Sequence, residues 1–122
     1  MTTLPESNLP ASPSIPLSPD VRAAYQNLYD KIQAQLDSTM NADVVEALNA
    51  IQPQVDDVLT KDDLYKIEQN TALFNALKQQ ISDTNNSLAA LKAQIASTAS
   101  HFAMAADIIA AINKVLTLIP AP

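Results

Sequence analysis

The sequence contains no glycine, no cysteine and no tryptophan among its 122 residues. Glycine supplies the left-handed backbone of tight hairpins and phosphate-cradling loops, so its absence disfavours β-rich folds and such loops. Without cysteine there are no disulfides, no thiolate chemistry and no cysteine-ligated zinc, and the redox compartment is left undetermined. The composition therefore favours an all-α protein built from few, long helices.

Positive charge is also scarce. Seven Lys and Arg residues face thirteen Asp and Glu residues, which gives a net charge of -6 and a pI near 4.4. Nucleic acid is not an expected partner, because phosphates bind basic surfaces. Residues 1–63 carry ten acidic and three basic side chains, whereas residues 64–122 carry three acidic and four basic ones. We expect the acidic front half and the apolar back half to meet different surroundings.

Catalytic side chains are too sparse to form an enzyme site. His101 is the only histidine, and Asp107 lies six residues away in a different direction on a helix. We interpret His101 as a structural or solvent-exposed residue. A di-iron bundle is excluded because Glu46 and Glu68 lack a Glu-x-x-His pairing. We therefore predict a protein that is not an enzyme and that holds no cofactor.

The densest group of carboxylates also lacks the pattern of a metal site. A calcium loop needs an interior glycine and a terminal glutamate, and neither is present. We interpret the group as helix capping and solubility and predict no metal ligand. Its members are Asp56, Asp57, Asp62 and Asp63.

Residues 1–18 form a proline-rich arm. Proline at this density removes backbone donors and fixes φ, which disfavours regular helix or sheet. One interpretation is a disordered, flexible arm. The other is an extended strap that presses its apolar side chains into a groove of its own bundle or of a partner. Those side chains are Leu4, Leu9, Ile15 and Leu17.

The remaining residues, 19–119, are predicted to form a single helical domain. Ser18 and Pro19 are typical of a helix start, so the first helix is predicted at 19–38. A second helix is expected at 42–59, with a kink or short restart near Pro53, because proline removes one intrahelical hydrogen bond. The first helix carries an apolar stripe at helical spacing, formed by Val21, Tyr25, Leu28, Tyr29, Ile32 and Leu36.

A third helix is predicted at 61–118, because an apolar heptad keeps its phase from Phe74 to Leu116. The alternative is a break at 82–87, where helix propensity is poor, which would give the four helices of an up-down bundle. We favour the continuous helix because no glycine or proline is present to build a turn. The predicted fold is an all-α, long-helix antiparallel bundle, coiled-coil-like, with a Pro-rich extended N-terminal arm.

The last third of the chain is apolar on most of its circumference. Residues 102–119 hold eight Ile, Leu, Val or Phe side chains, and leaving them wet would forgo on the order of 10 kcal/mol. The first two helices look too short to cover them, so we predict a homo-oligomer or association with another helical protein. The predicted helix-packing and oligomer-interface residues are Phe74, Leu77, Ile81, Leu88, Leu91, Ile95, Phe102, Ile108, Ile109, Ile112, Val115, Leu116 and Ile119.

Two hypotheses for the function remain open. The first is a non-catalytic, self-assembling helical interaction or scaffold protein. The second is a membrane-active protein, loosely similar to long-helix pore-forming toxins, in which residues 101–119 leave the bundle at a bilayer. Asp107, Asn113 and Lys114 interrupt that segment, so we expect a soluble protein. No Sec signal peptide is recognisable, so we expect a cytoplasmic protein or one released by another route.

Overall fold

The computed structural model describes residues 15–98 and 102–119, and in these ranges the chain is helical and contains no strand. The predicted all-α class is confirmed. Residues 1–14 of the proline-rich arm lie outside the described residues. The helices, in chain order, are α1 (Pro19–Ser38), α2 (Ala42–Glu68), α3 (Thr71–Ser97) and α4 (Ala105–Leu118).

Polar side chains define where the first three helices begin. The Ser18 hydroxyl accepts the amide of Val21 at the start of α1, and Pro19 follows it in the first turn. Asn41 and Asn70 cap α2 and α3 in the same way, each through its side-chain oxygen. These caps satisfy amides that have no partner inside the helix.

The predicted boundary at Thr60 is wrong. The chain stays helical through Thr60 and α2 ends only at Glu68. No restart occurs at Pro53 either, and its side chain faces solvent. Thr60 can continue the helix because Val58, Leu59 and Asp62 on the same stretch are buried against the rest of the bundle. Packing of a helix face outweighs the weak preference of one threonine for a cap.

The continuous helix over 61–118 is also wrong, and so is the alternative break at 82–87. The chain turns between Glu68 and Thr71, and again between Ser97 and Ala105, while residues 82–87 lie inside α3. Gln69 makes the first turn with a left-handed φ of 47°, and its amide donates to the Tyr65 carbonyl (2.8 Å). A non-glycine residue in this conformation costs roughly 1–2 kcal/mol, which capping and packing must offset.

The four helices pack as a ring in which each helix contacts two neighbours. α1 lies against α2 and α4, and α3 lies against the same two helices. Two hydrogen bonds between residues far apart in sequence indicate that neighbouring helices are antiparallel. Asp62, near the end of α2, accepts the amide of Leu17, just before α1, and Gln35, near the end of α1, accepts the amide of Met104, just before α4. Short connections between antiparallel neighbours are typical of an up-down-up-down bundle.

The apolar tail finds cover within its own chain. Ile108, Ile112 and Val115 of α4 are at most 1% exposed, and Phe102 and Ile119 at its two ends are 5% exposed. The segment is therefore covered without a second molecule, by α1 and α3 rather than by the first two helices. Because α3 turns back at Ser97, α4 lies against both α1 and α3, and the bundle buries its inner face. Exposure of the tail no longer argues for an oligomer.

Candidate interaction surface

Most of the predicted interface residues lie in the core of the chain. Leu77, Ile81, Leu88, Leu91 and Ile95 are buried along α3, as are Phe102, Ile108, Ile112, Val115 and Ile119 in and around α4. Phe74, Ile109 and Leu116 are half-buried. Packing of these side chains inside one molecule leaves little of them for a partner. A contact surface must therefore be sought among other residues.

The turn between α2 and α3 forms one end of the bundle, which we call the hairpin end (residues 60–74). α2 and α3 have 27 residues each, whereas α1 has 20 and α4 has 14. The carbonyl of Ile119, just after α4, accepts the Asn85 side-chain amide at 2.8 Å, in the middle of α3. The first half of α3 thus extends beyond the end of α4, and the hairpin end projects past α4.

An aromatic pair holds the two helices of the hairpin end together. The rings of Tyr65 and Phe74 lie 5.9 Å apart at 63°, in an edge-to-face arrangement. Such pairs contribute about 0.5–1.5 kcal/mol beyond their buried area. Both side chains are half-buried, and α4 does not reach this far. The pair gives the projecting turn a defined geometry.

Two apolar side chains on the outer side of α2 remain exposed at the hairpin end. Ile67 is 79% exposed and Leu64 is 40% exposed. They are three residues apart on one helix, so they lie on the same face, and we call them the tip patch. Among the described residues, the other large apolar side chain with comparable exposure is Met40 (98%), in the connection between α1 and α2.

The charged side chains beside the tip patch differ in whether they form ion pairs with described residues of the chain. Asp63 and Lys66 already pair within the chain: Arg22 Nη2 lies 3.0 Å from Asp63 Oδ1, and Lys66 Nζ lies 3.1 Å from Asp62 Oδ2. Lys61 and Glu68 take part in no ion pair with any residue that the structure describes. They stand two helical turns apart, about 10.5 Å along the axis, Lys61 before the patch and Glu68 after it in the chain.

Asp62 anchors the chain segment that precedes α1. Its carboxylate is fully buried, and it accepts the Leu17 amide (2.8 Å), Arg22 Nη1 (2.8 Å) and Lys66 Nζ (3.1 Å). A buried charge must be paired and hydrogen-bonded, and this one is. Leu17 is buried and Ile15 packs against the core beside it. Ile15 and Leu17 therefore pack on the bundle of their own chain, while Leu4 and Leu9 lie outside the described residues.

A second buried polar group links three helices. The Tyr25 hydroxyl donates to Asn85 Oδ1 (2.6 Å), and Asn85 Nδ2 donates to the carbonyl of Ile119 (2.8 Å). Burial raises the pKa of the Tyr25 hydroxyl far above its usual value of 10.0. The group joins α1 to α3 across the bundle and fixes the end of α4.

The net charge of the molecule is concentrated on α2. This helix carries seven acidic and two basic residues, a net charge of -5 out of the chain's -6. The charge is uneven along it: residues 42–59 hold four carboxylates and no basic residue, whereas residues 60–68 hold three carboxylates and two lysines. The hairpin end is therefore the least repulsive part of this helix for a second acidic molecule.

Two hollows on the surface offer little for a small ligand. One, of about 300 Å³, is lined by Asp20, Ala23, Ala24, Asn27 and Lys114; the other, of about 230 Å³, by Tyr29, Gln52, Pro53 and Asp56. Ligand pockets typically measure about 300–1,000 Å³ and bury most of the ligand. Neither hollow gathers an acid, a base and a nucleophile in one place.

No group of three or more His, Cys, Asp or Glu residues capable of holding a metal occurs within 15–98 and 102–119. The predicted carboxylate group is divided, because Asp62 faces the core whereas Asp56, Asp57 and Asp63 face solvent. His101 lies outside the described residues. No helix in the described part of the chain is long and apolar enough to cross a membrane.

Asp62 and Asn85 are structurally important residues that the sequence argument missed. Asp62 continues the apolar spacing of Ile51, Val55 and Val58, so the pattern places a carboxylate on the inner face of α2. Asn85 lies between Ile81 and Leu88, which should have placed it beside the core. Their spacing was a usable signal, whereas their polar character argued for the surface.

Comparison of the chain with protein-family models, curated proteins and solved structures finds no match.

Proposed function

We propose that this protein is a non-catalytic helical interaction protein that associates with itself through the hairpin end of α2 and α3. The observation that carries the proposal is the tip patch. Ile67 is 79% exposed on a projecting helix end, although the rest of the bundle buries its large aliphatic side chains well. Burying one isoleucine contributes about 1.5–3 kcal/mol, so this residue favours a contact with another molecule.

The distribution of charge supports self-association at this end. Two acidic molecules repel each other over most of α1 and α2, but the hairpin end carries nearly balanced charge. Apolar area surrounded by charged residues of both signs is typical of a protein–protein contact rather than of a solvated surface. We propose one small contact surface per molecule, which makes the assembly weak and reversible.

Substitution of Ile67 tests the proposal. We expect the full-length protein to associate as its concentration is raised from about 10 µM to 1 mM, the range of weak contacts, when followed by sedimentation velocity. Ile67→Ser should shift this association to at least tenfold higher concentration, since about 1.4 kcal/mol changes an equilibrium constant tenfold.

Met40→Ser is the matched control, because Met40 is the most exposed large apolar side chain among the described residues but lies at the opposite end of the bundle. It should leave association unchanged. A wild-type chain that stays monomeric at the highest concentration would refute the proposal. So would a loss of association in Met40→Ser alone.

The membrane-active hypothesis remains a weaker second candidate. It requires residues 101–119 to leave the bundle, which would expose Ile108, Ile112 and Val115, all at most 1% exposed. Each costs about 1.5–3 kcal/mol when transferred to water, so release needs a strong compensating interaction with lipid. Leakage from dye-loaded liposomes tests this: leakage by the wild-type chain that Ile112→Ser abolishes would favour the membrane-active hypothesis.

A further inference from the structure

The charges on both sides of the tip patch are arranged so that the patch complements itself. We infer that two copies of this chain pack their α2 helices antiparallel at the hairpin end, with Lys61 of each copy paired to Glu68 of the other. This inference rests on the proposed self-association and adds its geometry. It is carried by three observations: the exposed Leu64 and Ile67, the two charges of Lys61 and Glu68 that pair with no described residue, and their position on the helix.

Helical geometry places the two charges correctly for this contact. Residues on an α-helix advance by 100° each, so Lys61 and Glu68, seven apart, lie within about 20° of each other on one flank of the tip patch. In an antiparallel pair related by a twofold axis across the helices, this flank faces the same flank of the second copy. Lys61 then meets Glu68 of the other molecule twice, once on each side of the axis.

The same register places Leu64 at the centre of the contact. A twofold axis between positions 64 and 65 pairs residues of α2 whose numbers add to 129, so Leu64 lies near the axis with Ile67 beside it. Lys66 lies about 130° around the helix from the middle of the tip patch. Asp63 and Lys66 keep their internal ion pairs with Arg22 and Asp62, so they take no part in the contact.

The antiparallel register also limits repulsion between the two acidic helices. α2 ends at Glu68, so in this register Asp57 lies beyond the C-terminal end of the other copy's α2 and does not face a carboxylate of that helix. Asp43 and Glu46 lie beyond the contact altogether. A parallel arrangement would place the four carboxylates of residues 42–59 against their own copies, and like charges side by side oppose association.

The contact is small, and its strength follows from its size. The contact consists of two apolar side chains per molecule and two Lys61–Glu68 pairs, and its buried area is smaller than that of stable dimers. We therefore expect a dissociation constant on the order of 100 µM. Electrostatic attraction across an exposed contact is screened, so the dimer should weaken several-fold between about 0.05 and 0.5 M salt.

Charge exchange on full-length protein tests the geometry. Lys61→Glu brings two glutamates together on each side of the twofold axis and Glu68→Lys brings two lysines together there, so each variant alone should dimerise about tenfold more weakly than wild type. Mixed in equal amounts, the two variants should form a heterodimer, because a Glu again meets a Lys on each side of the axis. The double variant K61E/E68K should also recover dimerisation. Lys61 is half-buried and Glu68 is exposed, and circular dichroism checks that each variant is folded.

The outcomes separate this inference from the proposed function. If Ile67→Ser weakens association but the mixed variants show no more association than either alone, the antiparallel geometry is overturned and self-association through the tip patch stands. If wild-type protein does not associate at all, both are overturned. Recovery in the mixture and in K61E/E68K supports the geometry. As a matched control, Asp57→Lys, which lies outside the paired positions, should mix with neither variant to give extra dimer.

Discussion

Replacing Asp62 by asparagine tests whether the buried carboxylate holds the start of the chain to the bundle. Asparagine keeps an oxygen for the Leu17 amide but removes the charge that Arg22 Nη1 and Lys66 Nζ approach at 2.8 and 3.1 Å. Hydrogen bonds to a buried charge contribute about 1.5–3 kcal/mol each. Arg22 and Lys66 are 31% and 42% exposed, so water replaces part of each interaction.

We therefore expect Asp62→Asn to lower the free energy of unfolding by about 2 kcal/mol, roughly 1 kcal/mol for each cation. Asp62→Ala also leaves the buried Leu17 amide without its acceptor, which adds about 1–2 kcal/mol. For a domain of this size, each kcal/mol lowers Tm by about 4 °C. Urea unfolding followed by circular dichroism measures the difference directly.

Asp63→Asn is the control for this prediction. Asp63 also pairs with Arg22, at 3.0 Å, but its side chain is 59% exposed, so its loss should cost less than about 1 kcal/mol. Amide hydrogen exchange at Leu17 gives a second measurement, which should accelerate in Asp62→Ala and not in Asp63→Asn. Equal destabilisation by Asp62→Asn and Asp63→Asn, with no change at Leu17, would refute the argument from burial.

Three further variants test other parts of the fold. Tyr25→Phe should make the free energy of unfolding fall less steeply above about pH 10. The raised pKa keeps Tyr25 protonated in the folded chain while the unfolded chain ionises, so wild type should lose up to about 1.4 kcal/mol per pH unit more than the variant. Urea titrations at pH 9 to 11 measure this difference. Asn85→Ala should cost about 2–4 kcal/mol, because it leaves Tyr25 and the carbonyl of Ile119 without partners, and a cost below 1 kcal/mol would contradict this network. Pro53→Ala should stabilise the chain by about 1–2 kcal/mol by restoring a helical hydrogen bond to Asn49, and calorimetry showing a lower Tm would count against it.

Periodicity alone could not locate the turns of this protein. The heptad from Phe74 to Leu116 keeps its phase across the turn after Ser97, because α3 and α4 both face the same core, and Phe102 in the connection is buried there too. A continuous rod and a folded hairpin therefore need the same apolar positions. The absence of glycine was misleading, since Gln69 takes the left-handed conformation that glycine usually supplies.

The sequence by itself determined the helical class, the start of α1 and the inner faces of the helices. These features follow from composition or from short segments, so they can be recognised without knowing the fold: the absence of glycine and cysteine, the cap at Ser18, and the apolar spacing of Tyr25, Leu28 and Ile32. Only the tertiary structure decided where α3 ends, what covers Ile112, and which of the carboxylates at Asp62 and Asp63 is buried. The tertiary structure also identified the hairpin end as a candidate surface. The exposure of Ile67 depends on how far the neighbouring helices extend, which is a property of the packed bundle.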